Sequence, residues 1–233
     1  MLQLNNLYLM DCMQGMAAFP DKYFDLAVVD VPYGIGADKK AAKGGGTQYG
    51  KARAAKKAYT RKDWDAEAPG ADYFLELFRV SKNQIIWGAN HFISRLPYDS
   101  PCWLVWDKET GTTDFADCEL AWTSFSTAVR KFAFVWSGFR QGNMKQKEER
   151  IHPTQKPAAL YKWIYTNYAK GGDRILDTHA GSASSYVAAY DCGLDYVGFE
   201  IDPEYYGLAV KRVQRHTEQL RLFDPDITGA WEG

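Results

Sequence analysis

The sequence predicts an α/β protein built on a mostly parallel, twisted sheet with helices on both faces. Three observations carry this expectation: short apolar runs that stop at an acidic residue, helical periodicities between those runs, and Gly- or Pro-containing turns at the joins. A chain of 233 residues suits one α/β domain, and a hydrophobic share of 46% is enough for a sizeable core.

Residues 6–11 (NLYLMD) read as a short strand ending at Asp11, followed by a helical segment to Phe19 and a turn at Pro20-Asp21. Residues 24–29 form a buried parallel strand that runs into Asp30, and Val31-Pro32-Tyr33-Gly34 stops it. Residues 72–80 place Tyr73, Phe74, Leu77 and Phe78 on one helical face, and 84–87 is a strand closed by Gly88. Between 102 and 136 come the β-like runs CWLVW, CELAWTSF and KFAFVW. Residues 141–150 are polar and expected to be exposed. A helix is predicted over 158–169, with Pro157 in its first turn. Then follow a strand at 174–177, a small-residue turn at 178–185, a helix at 186–192, a strand at 196–201 and a final amphipathic helix at 203–220.

Composition narrows the function classes. No apolar run approaches the ~20 residues of a membrane span, and the N-terminus lacks a signal-peptide pattern, so a cytoplasmic protein is expected. Cys12, Cys102, Cys118 and Cys192 show no metal-binding or disulfide spacing, and reduced thiols with no metal are expected. Net charge is −1, yet Lys39, Lys40, Lys43, Lys51, Arg53, Lys56, Lys57, Arg61 and Lys62 share one stretch without an acid. That stretch reads either as a loop ordered by phosphate contacts or as a solvated surface loop.

Two constellations carry chemistry. Ligands of open α/β sheets sit outside the carboxyl ends of the strands, where Asp30 stands before Pro32, Tyr33 and Gly34. The second is Asp177-Thr178-His179-Ala180-Gly181-Ser182-Ala183-Ser184-Ser185, a small-residue strand-to-helix turn, with Glu200 at the end of the next strand. Such a series suits a nucleoside whose ribose hydroxyls meet the acid. There is no GxxxxGK[ST] loop and no regular GxGxxG, so a ligand without a pyrophosphate is favoured.

Three segments, Asp30-Val31-Pro32-Tyr33, His152-Pro153-Thr154-Gln155-Lys156-Pro157 and residues 177–185, resemble in kind and order the motifs of DNA adenine/cytosine amino-methyltransferases of the permuted β type. The resemblance implies a Rossmann-like class I methyltransferase fold with one antiparallel edge hairpin, forming a single domain over 1–233. Within it lie a basic loop at 38–66 and a target-recognition region within 39–150. It implies S-adenosyl-L-methionine as methyl donor and double-stranded DNA as substrate, with a restriction-modification setting and a monomeric or homodimeric state. Asp30, Val31, Pro32 and Tyr33 would be catalytic: the carboxylate and the Val31 carbonyl accept the hydrogens of an exocyclic amino group, and Tyr33 stacks on the flipped base. Asp11, Cys12, Asp30, Thr154, Lys156, Asp177, Ala180, Gly181, Ser182 and Glu200 would bind the cofactor, with Asp11 and Cys12 at the adenosine end. Thr154 and Lys156 would lie near the methionine carboxylate, and Glu200 at the ribose. The Asp-Tyr pairing resembles adenine-specific members more than cytosine-specific ones. Cytosine or RNA methylation, or a DNA-binding homologue with impaired turnover, are the alternatives. Val31 departs from the family's proline and loses its fixed φ. Thr178-His179 and Ala183 depart from its Pro-Phe and Gly, and His179 reads as a packed loop residue. Finally, Gln219-Leu220-Arg221-Leu222-Phe223 resembles peptides that dock on the bacterial sliding clamp.

Overall fold

The computed structural model describes residues 1–37, 62–111, 116–137, 140–142, 144–145 and 147–221. In chain order the elements are β1 (Asn6–Leu9), α1 (Cys12–Ala17), β2 (Phe24–Val29), α2 (Ala71–Val80), β3 (Ser81–Trp87), two 3-10 turns (Ala89–His91 and Ile93–Arg95), β4 (Trp103–Asp107), β5 (Cys118–Thr123), β6 (Arg130–Ala133), β7 (Trp136–Ser137), β8 (Arg140–Gln141), α3 (Ala158–Tyr168), β9 (Arg174–Asp177), α4 (Ser184–Asp191), β10 (Asp195–Glu200) and α5 (Pro203–Arg221). Eight strands form one sheet in the order β1-β10-β9-β2-β3-β5-β4-β6, and β7 pairs with β8 separately. Within the large sheet only β5 runs antiparallel to its neighbours. The expected antiparallel hairpin is β4–β5, with β6 added outside it in parallel register to β4.

Alternation along β2 shows how one strand feeds two cores. Ala27 and Val29 face α1 and α2, where Met16, Tyr73, Phe74, Leu77 and Val80 pack. Leu26 and Val28 face α3 and α4, where Leu160, Tyr161, Ile164, Tyr165, Ala188 and Ala189 pack. A strand covered on both faces has no use for polar residues, which explains the unbroken apolar run.

The chain leaves the central pair β9 and β2 in opposite directions, through α4 to β10 on one side and through α2 to β3 on the other. That reversal opens a crevice at their carboxyl ends. Asp30 follows β2, and Asp177 closes β9 beside it.

Three local expectations are corrected. Strand β3 begins at Ser81, directly after α2, because Ser81 Oγ donates to the Leu77 carbonyl and the Gln84 amide donates to Ser81. The polar stretch at 141–150 is not simply exposed: Gln141 is buried and its side-chain amide exchanges two hydrogen bonds with the Glu148 backbone. Pro157 precedes the first turn of α3 as its N-cap, and the Ala158 N–H is satisfied by Glu148 Oε1 at 3.0 Å.

At the opposite end of the sheet, Asp25 binds Lys82 of β3 at 2.5 Å and the Arg174 N–H of β9 at 2.9 Å. Burial raises its pKa, but Lys82 and Arg174 outweigh that and hold it below the ordinary 3.8. Asp25→Ala is expected to lower unfolding free energy by about 1–3 kcal/mol in urea titrations. The deficit shrinks as pH falls below 4, where the wild-type carboxylate also loses its charge.

Candidate active site

Asp30 lies at the end of β2 against two groups, one from the turn that follows it and one from a distant part of the chain. Tyr33 Oη donates to its Oδ1 at 2.8 Å, and Lys156 Nζ pairs with the same oxygen at 2.5 Å. Lys156 also meets Glu119 Oε2 at 3.0 Å, and Glu119 Oε1 meets Lys108 at 2.5 Å. The antiparallel course of β5 explains Glu119: its first residues lie at the edge where the parallel strands end, with Asp107 opposite Cys118 and Lys108 just beyond. Burial, together with the charge of Glu119, raises the Asp30 carboxyl above its usual range despite Lys156. Burial acts the same way on Glu119, but Lys156 and Lys108 overcome it and hold that carboxyl down at about 2.

The turn after Asp30 is fixed on several sides. Val31 is buried in the α1–α2 core, so an apolar side chain there supplies packing where proline would supply stiffness. Asp65 Oδ1 accepts from the Tyr33 and Gly34 N–H groups at 2.6 and 2.9 Å, and Oδ2 accepts from Ala37 at 2.7 Å. The Tyr33 ring stacks on His91 at 5.2 Å. A Cβ on Gly88 would lie 2.0 Å from that ring, and φ there is +71°, so only glycine fits.

The second turn stands beside the first. Asp177 is buried, with His179 N–H donating to Oδ1 at 3.1 Å and Ser185 Oγ and Tyr196 Oη donating to Oδ2. Burial, with Asp30 adding to it, pushes its carboxyl up to about 6. Gly181 has φ +51° and donates its N–H to Glu200 Oε2 at 2.8 Å, while Asp202 N–H donates to Oε1 at 2.8 Å. Each oxygen retains a lone pair for a further donor. Ala180 N–H donates to the Phe199 carbonyl, which ties the turn to β10. Ala183 adopts the left-handed conformation expected of glycine, at φ +55°, with its methyl in a small apolar cluster with Leu7, Ala180 and Ala209. Arg212 of α5 braces the turn, donating to the Ser182 carbonyl at 2.8 Å and Ser184 Oγ at 2.9 Å while paired with Glu148 at 2.8 Å.

Most of the residues singled out from sequence converge on this edge. Asp11 spends Oδ1 on capping α1, accepting from Met13 and Gln14 N–H groups. Burial, then the neighbouring Asp11, pushes the Cys12 thiol up to about 12, so it is neutral. Thr154 Oγ1 is 3.1 Å from His152 Nδ1, and the His152 ring packs between Trp64 and Tyr205. Lys156, expected at a methionine carboxylate, has its ammonium between Asp30 and Glu119. Lys62, counted with the basic stretch, pairs with Asp202 at 2.7 Å and Glu204 at 3.1 Å. The remainder of that stretch, from 38 to 61, and Leu222-Phe223 of the clamp-like peptide lie outside the described residues. Sequence reasoning does not find Glu119, Lys108, Asp65 or Arg212. Only the unusual acid within the apolar run CELAW offers a signal for any of them.

An acid, a proline and an aromatic at one strand end thus stand beside a small-residue turn and a second strand-end acid, at the reversal of a parallel sheet where ligands of such folds bind. Residues 101–211 match the N6/N4 family described as DNA methylase, a range that holds the second and third motifs but not Asp30. The type II methyltransferase M.HinfI of Haemophilus influenzae is 24% identical over 91% of this chain and 68% of its own length. The DNA adenine methyltransferase YhdJ of Escherichia coli is 37% identical over 34% of this chain and 26% of its own. TTHA0409 of Thermus thermophilus, solved with S-adenosyl-L-methionine, superimposes with a TM-score of 0.56 at 17% identity, covering 91% and 93% of the two chains. The match to the N6/N4 DNA methylase family spans just under half of the chain, and the fold is shared with TTHA0409, both in keeping with the three motifs.

Two histidines at this edge are held neutral. Burial lowers both His152 and His179 from 6.5 to about 4, against the opposing pull of Asp202 and Asp11 respectively. His179 Nδ1 is 2.9 Å from Thr178 Oγ1, and its ring is edge-on to Tyr73. A group whose folded pKa is lowered in this way contributes stability above 6.5 that is lost as pH falls toward 4. Asp177, raised to about 6, acts in the opposite sense over the same window. The difference between variants isolates the imidazole: in thermal melts from pH 7 to 4.5, His179→Phe is expected to lose on the order of 2 kcal/mol less than wild type.

Proposed function

We propose that this protein transfers the methyl group of S-adenosyl-L-methionine to the exocyclic amino group of adenine in a specific sequence of double-stranded DNA. The observation that carries the reading is the adjacency of Asp30 at the end of β2 and the turn at the end of β9. The donor set fits the cofactor. Glu200 keeps lone pairs for ribose hydroxyls, and small residues line the turn. Gly181 leaves its face open: a Cβ placed there would meet no atom nearer than 3.8 Å. When bound, S-adenosyl-L-methionine supplies an electrophilic methyl carbon.

The chain's own residues make the amino nitrogen reactive. Its lone pair is delocalised into the base, and Asp30 with the Val31 carbonyl accepts the two hydrogens, drawing the nitrogen toward a tetrahedral shape. The N–H proton displaced on methylation passes to Asp30. Positioning and fixed charge do this work without a covalent intermediate. Tyr33 receives the extruded base on the face turned away from His91, and Asp65 keeps the Tyr33 backbone in place. Target reading falls to the region within 39–150, and phosphate contact to its basic stretch.

The test is nucleoside mass analysis of mixed-sequence DNA and RNA incubated with the protein and methyl-labelled cofactor. N6-methyladenine from DNA is expected, with Asp30→Asn reducing turnover at least about a hundredfold while cofactor binding persists. N4-methylcytosine would reassign the base, labelled RNA the substrate, and no transfer by wild type would leave a DNA-binding protein. For the clamp-like peptide at 219–223, capture by a bacterial sliding clamp is expected, and Leu222→Ala with Phe223→Ala should abolish it. Equal capture of the variant would remove that assignment.

A further inference from the structure

The ion chain at Asp30 holds more charge than one catalytic carboxylate needs. Asp30, Lys156, Glu119 and Lys108 alternate in sign at 2.5, 3.0 and 2.5 Å, with side-chain exposures of 19, 4, 22 and 17%. Desolvating four charges is costly, and such a chain persists only where every member is paired. Its geometry is asymmetric at Asp30. Oδ1 takes both Tyr33 Oη and Lys156 Nζ, whereas among the described residues no donor is directed at Oδ2.

A lone Lys156 on Asp30 would neutralise the group that has to accept an amino hydrogen. Glu119 changes that balance by holding the other side of the same ammonium, and Lys108 returns the chain to net zero. Resting on the reading of Asp30 as acceptor, we propose that Glu119 is a positioning residue for methyl transfer. It takes a share of the Lys156 ammonium, keeps it off the second oxygen of Asp30, and so preserves that oxygen as a strong acceptor for the target amino group.

The groups facing Asp30 are Lys156, Tyr33, Glu119 with Lys108 behind it, Asp177 on β9 and Tyr161 on α3. Of these, Glu119 reaches Asp30 through Lys156, and also through Tyr33 Oη, 3.4 Å from its Oε2, while Lys108 reaches it through Glu119. Removing one or the other therefore moves Asp30 in opposite directions. Glu119→Gln leaves Lys156 wholly on Asp30 and makes the carboxylate a weaker base. Lys108→Gln strengthens the pull of Glu119 on Lys156 and makes Asp30 a stronger base.

The experiment measures kcat, KM for S-adenosyl-L-methionine and the pH dependence of kcat on the full chain with substrate DNA. Glu119→Gln is expected to lower kcat about tenfold with KM for the cofactor within about twofold, and to move the acid limb of the profile to lower pH. Lys108→Gln is expected to move that limb to higher pH. Opposed shifts are a signature that loss of packing does not produce. Wild-type kcat and profile in Glu119→Gln, or shifts of the same sign in both variants, would overturn the proposal while leaving Asp30 as acceptor. Full activity in Asp30→Asn would instead overturn the reading on which it rests.

Discussion

The structure depends on one strand pairing, β2 against β9. Both are short, both are buried on two faces, and they are separated by most of the chain, yet their parallel register sets Asp30 beside Asp177. Parallel pairing fixes the result: the two carboxyl ends must fall on the same edge of the sheet, and connections leaving in opposite directions must open a crevice between them. An antiparallel partner would send Asp30 to one rim and the small-residue turn to the other. Asp25 at the amino-terminal rim holds the pair from below, through β3 and β9 together.

The chemistry of the crevice comes from burying charge in a controlled order. Asp30, Asp177 and Glu200 all have carboxyls raised by burial, whereas Glu119, equally enclosed, is held low by two ammonium groups. Four acids in one small region thus differ by what faces them, a divergence typical of functional sites. Backbone groups add fixed dipoles, with Gly181 and Asp202 N–H groups on Glu200 and three N–H groups on Asp65. These donors need no reorganisation on ligand entry, which is the advantage of a rigid polar site over water.

Much of this is legible in the sequence because it is local. The run 174–177 is a strand in both readings, the helix at 158–168 follows from its apolar spacing, and small residues at 178–185 announce a close-packed turn. Long-range chemistry is not legible. Glu119 reaches the site because β5 runs against its neighbours, and strand direction leaves no mark in a six-residue apolar run. Asp65 reaches the Tyr33 backbone across 32 positions, where no periodicity connects them. Lys156 is found through its motif, but its partners are not, since an ammonium on a flexible stem suits either a ligand carboxylate or a protein one. Ala183 shows the converse: a departure from glycine in sequence, it keeps glycine's left-handed backbone, at a strain of about 1 kcal/mol, and fills an apolar niche with its methyl.

The clasp made by Asp65 has an architectural meaning. It grips residues 33, 34 and 37, and three positions earlier Lys62 is anchored to Asp202, just past β10, and to Glu204 in the first turn of α5. Residues 37 and 62, on either side of the segment between them, are therefore both tied to this rim of the sheet, as by a seam. Closure entropy grows only with the logarithm of length, so insertions or deletions beyond that seam can be accommodated without disturbing the Asp30 corner. A change of length on one side of the seam is thereby uncoupled from the geometry on the other.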